Sequence, residues 1–295
     1  MMKNSLKQVL LLLTVFFISV RVNASTPEPT SDIVSNSSSV PDTSYESTLP
    51  SFRVTSLHQW MVDRMLVWSP AGVTYYKDAK ETPEEGKTRY ESIADDILSV
   101  AYDPTEKPIF GGQYGRAMTA ALIAAVAMHE SYFRKDVDEG IGPAARGDSG
   151  ESWCIAQIRM GKPEADGKTT RRVVVTGDGL KFITDKSKTI GWGGEDLISD
   201  RNNCVRAAIR IARMSFNTCS KLPITERLAL YASGDGSCTK GRDASKARVS
   251  SAQQWLAKRR PPLKDKEVLE LLHPSTVQPT VYEVSEIEML FPFFG

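Results

Sequence analysis

Residues 117–131 read AMTAALIAAVAMHES, and this stretch decides the fold. From Ala117 to Met128 only Thr119 is polar, which predicts a helix that is apolar on nearly every side. The segment is too short to cross a bilayer, which takes about 20 residues, so it belongs at the centre of a folded core. Glu130 stands at its end, four residues after Val126 and seven after Ile123, and its carboxyl therefore leaves the helix on the face those residues bury. Burial penalises the charged form of a carboxyl and raises its pKa. An acid still protonated near neutral pH can give a proton to a leaving oxygen and later take one back. Position alone does not make a site, because a Glu at a helix end is more often simply solvated.

Outward from this helix, Leu57, Trp60, Met61, Met65 and Trp68 recur on one face after Ser56, and Tyr90, Ile93, Ala94, Ile97, Leu98 and Ala101 repeat the pattern. Residues 69–88 between them hold Pro, Gly and charges and read as loop. Further helices are predicted over 203–217, 224–233 and 243–257, with a short one near 265–272. In the first of these Val205, Ala208, Ile209, Ala212 and Phe216 form the buried stripe, and Arg206, Arg210 and Arg213 line another face that reads as solvated. Val173 to Thr176, then Gly177-Asp178-Gly179, then Leu180 to Ile183 predict a hairpin. The fold class is mainly α: a helical domain over 51–258 with a small β-hairpin insertion. A C-terminal extension, 259–295, ends in Phe291-Pro292-Phe293-Phe294, which reads as a segment packed on the domain.

The chain's beginning reads as a cleavable signal peptide over 1–24. Lys3 and Lys7 precede an apolar run from Val9 to Val20, and Val22-Asn23-Ala24 stands before Ser25. Residues 25–50, rich in Ser, Thr and Pro, read as a disordered linker, since they carry too little apolar surface to offset their ordering entropy. These features predict a periplasmic or secreted protein with no integral membrane span after cleavage. Export gives meaning to the four cysteines, Cys154, Cys204, Cys219 and Cys238, which predict two disulfides. Three pairings are possible; Cys154 with Cys204 and Cys219 with Cys238 is favoured, because the second pair would staple a helix end to a nearby loop.

With 37 basic against 36 acidic side chains the net charge is +1, and the basic excess expected of a nucleic-acid binder is missing. His129-Glu130 begins a zinc-protease H-E-x-x-H motif, but the second His would fall at Phe133. The cysteines show no C-x-x-C spacing, so no metal site is expected. A serine hydrolase lacks its G-x-S-x-G elbow, and Gly161-Lys162-Pro163 lacks the Ser or Thr that a phosphate-binding loop places after its Lys. No cofactor is expected. Trp153 and Trp192 are candidates for stacking on sugar faces.

Three segments in order carry a resemblance. Glu130-Ser131-Tyr132-Phe133 closes the apolar helix, Cys154-Ile155-Ala156-Gln157-Ile158 follows Gly150-Glu151-Ser152-Trp153, and Leu230-Tyr231-Ala232-Ser233-Gly234 comes after a helix. Together, over roughly 115–255, they resemble the lytic transglycosylase and goose-type lysozyme branch of the lysozyme-like superfamily, whose motifs are Glu-Ser, Gly-Leu-Met-Gln-Ile and Tyr-Asn-x-Gly. The chain departs from them at Cys154, Ala156 and Ala232, and the 27-residue interval from Glu130 to Gln157 is longer than usual. The resemblance implies a lysozyme-like α+β domain that cleaves the MurNAc-GlcNAc β-1,4 bond of peptidoglycan glycan strands. It implies Glu130 as general acid and base, Ser131 holding the acid or a sugar substituent, Gln157 in the sugar cleft, Tyr231 hydrogen-bonded near the acid, and Ser152 at the mouth of the hairpin. A transglycosylase needs one acid, whereas a hydrolytic lysozyme would draw a second carboxylate from Asp136, Asp138, Asp148 or Glu151. The rival from another class is a wall-binding protein that kept the fold and lost turnover.

Overall fold

The structure is a computed structural model that describes residues 52, 54–234 and 236–274; the signal peptide, the linker over 25–50 and the aromatic terminus at 291–294 lie outside the described residues. In chain order the elements are α1 (Thr55–Trp68), α2 (Pro83–Ala101), α3 (Gly115–Ser131), the single turns α4 (Lys135–Asp138) and α5 (Gly147–Gly150), β1 (Ser152–Trp153), β2 (Ile158–Arg159), β3 (Arg171–Thr176), β4 (Gly179–Thr184), α6 (Gly194–Ser199), α7 (Arg201–Thr218), α8 (Ala229–Ser233), α9 (Arg242–Lys258) and α10 (Asp265–Leu272). The described chain is mainly helical, with two small antiparallel hairpins, β1–β2 and β3–β4.

The apolar helix sits at the centre. Every residue of α3 from Gly115 to Met128 is buried, and α1, α2, α7 and α9 pack around it. Trp60 of α1 stacks on Trp255 of α9 with ring centroids 4.0 Å apart, and the Trp60 indole N–H donates to the Arg259 carbonyl at 3.0 Å. Helix α2 begins seven residues before the apolar pattern does. Thr82 caps it, Pro83 occupies its first turn, and Thr82 and Glu85 exchange the two hydrogen bonds of a capping box. The signal was present in Thr82-Pro83-Glu84-Glu85, inside the stretch that reads as loop.

Two expectations fail for physical reasons. The helix expected over 224–233 is broken into a 3-10 turn, Ile224–Glu226, and the short α8. At the break Ser215 Oγ of α7 donates to the Arg227 carbonyl at 2.7 Å, and the Leu228 amide donates to Ser245 Oγ of α9 at 3.0 Å. Side chains from two neighbouring helices thus take the backbone groups a continuous helix would use. The arginine face of α7 is not solvated. Arg206, Arg210 and Arg213 converge on Glu106, a carboxylate only 1% exposed, at 3.1, 2.9 and 3.0 Å. Arg210 also donates to the Gly179 carbonyl at 2.9 Å, and both Arg210 and Arg213 donate to carbonyls of the 177–178 turn. Their function is to lock the tip of β3–β4 onto α7.

The cysteines pair as favoured, Cys154 with Cys204 and Cys219 with Cys238. The first ties the β1–β2 loop to the start of α7. The second ties the end of α7 to the loop before α9. Among the described residues no helix is long and apolar enough to cross a membrane, and no cluster of three His, Cys, Asp or Glu could hold a metal ion.

Helix α10, read from sequence as part of an extension, completes α3. No side chain at Tyr114 caps α3. The carboxylate of Asp265 instead accepts from the amides of Arg116 (2.7 Å) and Ala117 (3.3 Å) and from the Tyr102 hydroxyl (2.8 Å), which satisfies first-turn amides that would otherwise be orphaned. Burial raises the Asp265 carboxyl to about 6 from its ordinary 3.8, against these donors, which pull it down. A folded pKa above the unfolded one means that the native state holds the proton more tightly, so this group's stabilisation is complete below pH 3.8 and is lost as pH rises through about 6. At about 1.4 kcal/mol per pH unit, wild type should lose on the order of 3 kcal/mol more than Asp265→Asn between pH 4 and pH 7 in urea titrations. Parallel profiles for the two proteins would contradict this.

Candidate active site

Glu130 ends α3 where the chain leaves the core. Tyr132 and Phe133 follow at φ 53° and 51°, both left-handed, and turn the backbone sharply away. Six of the seven non-glycine residues with positive φ among the described residues fall between 132 and 157, so backbone strain concentrates around this acid. The Glu130 side chain is 17% exposed and faces a cleft of about 790 Å³.

Arg248 of α9 holds it. Its Nε and Nη2 donate to the same oxygen, Glu130 Oε1, at 3.0 and 2.7 Å, while Nη1 donates to the Ala244 carbonyl at 2.7 Å and fixes the guanidinium. Among the described residues no donor reaches Oε2. Burial raises the Glu130 carboxyl above its ordinary value; the Arg248 cation draws it back, and the Asp148 carboxylate adds to the rise. His129, one residue earlier, bonds Ser251 Oγ of α9 at 2.9 Å, a second tie between the two helices at this point.

The second segment forms the cleft's floor. Gln157, at φ 48°, takes a hydrogen bond from the Gly147 amide on Oε1 (2.7 Å) and gives one from Nε2 to the Cys154 carbonyl (3.0 Å). Its amide therefore braces the 145–157 loop while the residue lines the cleft. A Cβ at Gly147 would come within 2.3 Å of Gln157 Oε1, so any larger residue there would displace the Gln157 amide from this brace. Cys154 stands at φ 59°, a conformation glycine adopts freely, and its disulfide anchors the turn to α7. Ser152 Oγ donates to Asp148 Oδ2 at 2.6 Å, and both residues line the cleft.

Tyr231, from the third segment, lines the same cleft and couples electrostatically to Glu130. Burial comes first and the Glu130 charge second in raising the Tyr231 hydroxyl well above its ordinary value. Its hydroxyl donates to the Ala156 carbonyl at 2.7 Å and ties α8 to the floor; its partner is not the acid.

Glu130, Ser152, Gln157 and Tyr231 are thus brought together. Ser131 is not. It is 2% exposed, and its Oγ donates back to the Ala127 carbonyl at 2.8 Å, so it closes the helix and cannot touch a ligand in the cleft. Trp153 is 1% exposed, and its indole N–H is committed to the Gly161 carbonyl at 2.8 Å. Trp192 packs against the core. Neither tryptophan lines the cleft. Of the four carboxylates considered as partners, Asp136 pairs with Arg134, Asp138 is held by Arg201 at two distances of 2.8 Å, and Glu151 pairs with Arg159 at 2.7 Å. Asp148 alone of these shares the cleft with Glu130.

Arg248 is missing from the sequence-derived set, yet its spacing carries a signal. It lies four residues before Ala252 and seven before Trp255, both buried, so α9 turns a guanidinium toward its own core face. No protein-family model, curated protein or solved structure matches the chain.

Proposed function

We propose that this chain cleaves the glycan strands of peptidoglycan as a lytic transglycosylase, with Glu130 as its single general acid and base. The observation that carries the reading is one mostly buried, cleft-lining carboxyl with a raised pKa, pinned through Oε1 by Arg248 and without a donor to Oε2 among the described residues. The ordered motifs around Glu130, Gln157 and Tyr231 supply the substrate class. The proton on Oε2 passes to the glycosidic oxygen as the bond to the anomeric carbon breaks. The resulting carboxylate then takes the proton of the sugar's own hydroxyl, whose oxygen closes on that carbon to give an anhydro end.

Asp148 favours a second reading, because a second carboxylate in the same cleft could orient water and make the enzyme a hydrolytic muramidase. Mass spectrometry of the fragments released from isolated sacculi separates the two, since transglycosylation leaves anhydro ends and hydrolysis leaves reducing ends. Release of no soluble fragment at all would sink both and leave a wall-binding protein.

Arg248 gives this reading a pH signature. The acid works in its protonated form, so the rate falls as pH rises through the Glu130 pKa. Arg248→Gln removes the cation that holds this pKa down. The falling limb of kcat/KM should therefore move to higher pH in the variant, while the maximal rate drops less than in Glu130→Gln. An unmoved limb would remove Arg248 from this role.

A further inference from the structure

Strand alternation sets two adjacent arginines of β3 to opposite uses. Arg172 faces α6 and is fully engaged, paired with Glu195 and with Asp196 at 2.6 Å and donating to the Gly191 carbonyl at 2.8 Å. Arg171 faces the cleft. Its guanidinium lies 4.3 Å from the centroid of Phe182, on the neighbouring strand β4, and both residues line the cavity that Glu130 lines.

The cations of this cavity are not equivalent. Arg248 is spent on Glu130, and Arg159 is spent on Glu151, with its Nε donating at 2.8 Å and its Nη2 at 2.7 Å. Arg171 is only partly exposed, yet no carboxylate or carbonyl of the described residues accepts from its guanidinium. The cation–π contact with Phe182 holds the ion over the ring and uses none of its N–H groups, which find no acceptor among the described residues. A guanidinium fork seated this way matches a planar carboxylate, which it can meet with two parallel hydrogen bonds.

We infer that Arg171, seated on Phe182, is a carboxylate-binding subsite of the cleft, and that it selects glycan strands whose peptide or lactyl substituents carry a free carboxylate. The inference rests on the glycan-cleaving reading of the same cleft. Neutral sugar polymers would lie in the groove without engaging this cation. Arg159 beside it adds positive potential, partly cancelled by Glu151.

Calorimetric titration of the full chain tests this with three probes. They are a disaccharide-peptide muropeptide with free carboxylates, the same molecule with its carboxylates converted to primary amides, and a neutral N-acetylglucosamine tetramer. The acidic muropeptide should bind about tenfold or more tightly than its amide, as a charge-assisted hydrogen-bonded pair warrants. Arg171→Gln should erase that gap, and Arg171→Lys, which keeps the charge and loses the fork, should keep part of it. Equal affinities for acid and amide, or a gap that survives Arg171→Gln, overturn the subsite and leave the glycan reading intact. If none of the three probes binds, the glycan reading fails. The subsite is then decided by N-acetylglutamate alone, followed through the NMR signal of the Arg171 side chain: an unmoved signal overturns it too, and a shift lost in Arg171→Gln retains it as an anion site.

Discussion

Glu130→Gln should lower the release of soluble fragments from sacculi by on the order of 10³-fold, within the range that positioned acid–base catalysis contributes. The substitution is chosen to leave everything else in place. Glutamine matches the shape of glutamate, and its carbonyl oxygen can still accept the two Arg248 hydrogen bonds that end on Oε1 at 3.0 and 2.7 Å. The amide nitrogen then takes the position of Oε2 and offers a group that cannot serve as an acid in this pH range. Burial disfavours the ionised form of Glu130 and the Arg248 cation favours it, so a neutral residue that keeps both hydrogen bonds should lower the melting temperature only modestly. Fragment release persisting at the wild-type rate would refute the assignment of Glu130, whatever the products. A large loss of melting temperature would make the rate uninformative, and for that reason both are measured on the same preparation.

Removing the Cys154–Cys204 bond by a double Cys→Ala change should cost about 4 kcal/mol, the chain-entropy value for a loop of this length. The bridge spans 50 residues and encloses the β1–β2 loop, the β3–β4 hairpin and α6. The consequence for the site should be disproportionate. Cys154 and Gln157 both hold left-handed backbone, and Gln157 braces the loop against Gly147 and Cys154. Without its anchor on α7 the strained turn can relax, and the floor of the cleft should lose its shape before the helices unfold. Equilibrium denaturation should show the loss of stability, and glycan binding at a temperature where the variant remains folded should show the loss of the cleft. The Cys219–Cys238 bridge closes a shorter loop, 19 residues apart, and its removal should cost less, about 3 kcal/mol. Equal stability of wild type and the Cys154/Cys204 variant would contradict this account.

Chain-local patterns determined a good deal by themselves. The run from Ala117 to Met128 fixed a central helix, because no amphipathic surface position can accept such a segment. Apolar spacing fixed α1 and α7, and the Gly177-Asp178-Gly179 turn fixed the hairpin that it closes. The placement of Glu130 at the exit of the buried helix was legible for the same reason, since the burial of a helix face follows from its own period. Capping was legible in principle at Thr82-Pro83-Glu84-Glu85, although apolar spacing alone misses it.

What only the tertiary structure decided are the pairings between distant groups. Arg248 meets Glu130 across 118 residues, Asp265 caps α3 across 149, and three arginines of α7 close on Glu106 across about a hundred. Periodicity reports that a side chain faces inward; it does not report which opposite charge waits there. That is why the α7 arginines read as solvated and prove paired, Arg210 and Arg213 buried, and why Ser131 reads as a ligand contact and proves to be spent on its own helix. Periodicity follows from the geometry of neighbouring residues, whereas partner identity follows from the packing of whole elements, and the chemistry of a buried ionisable group depends on the second.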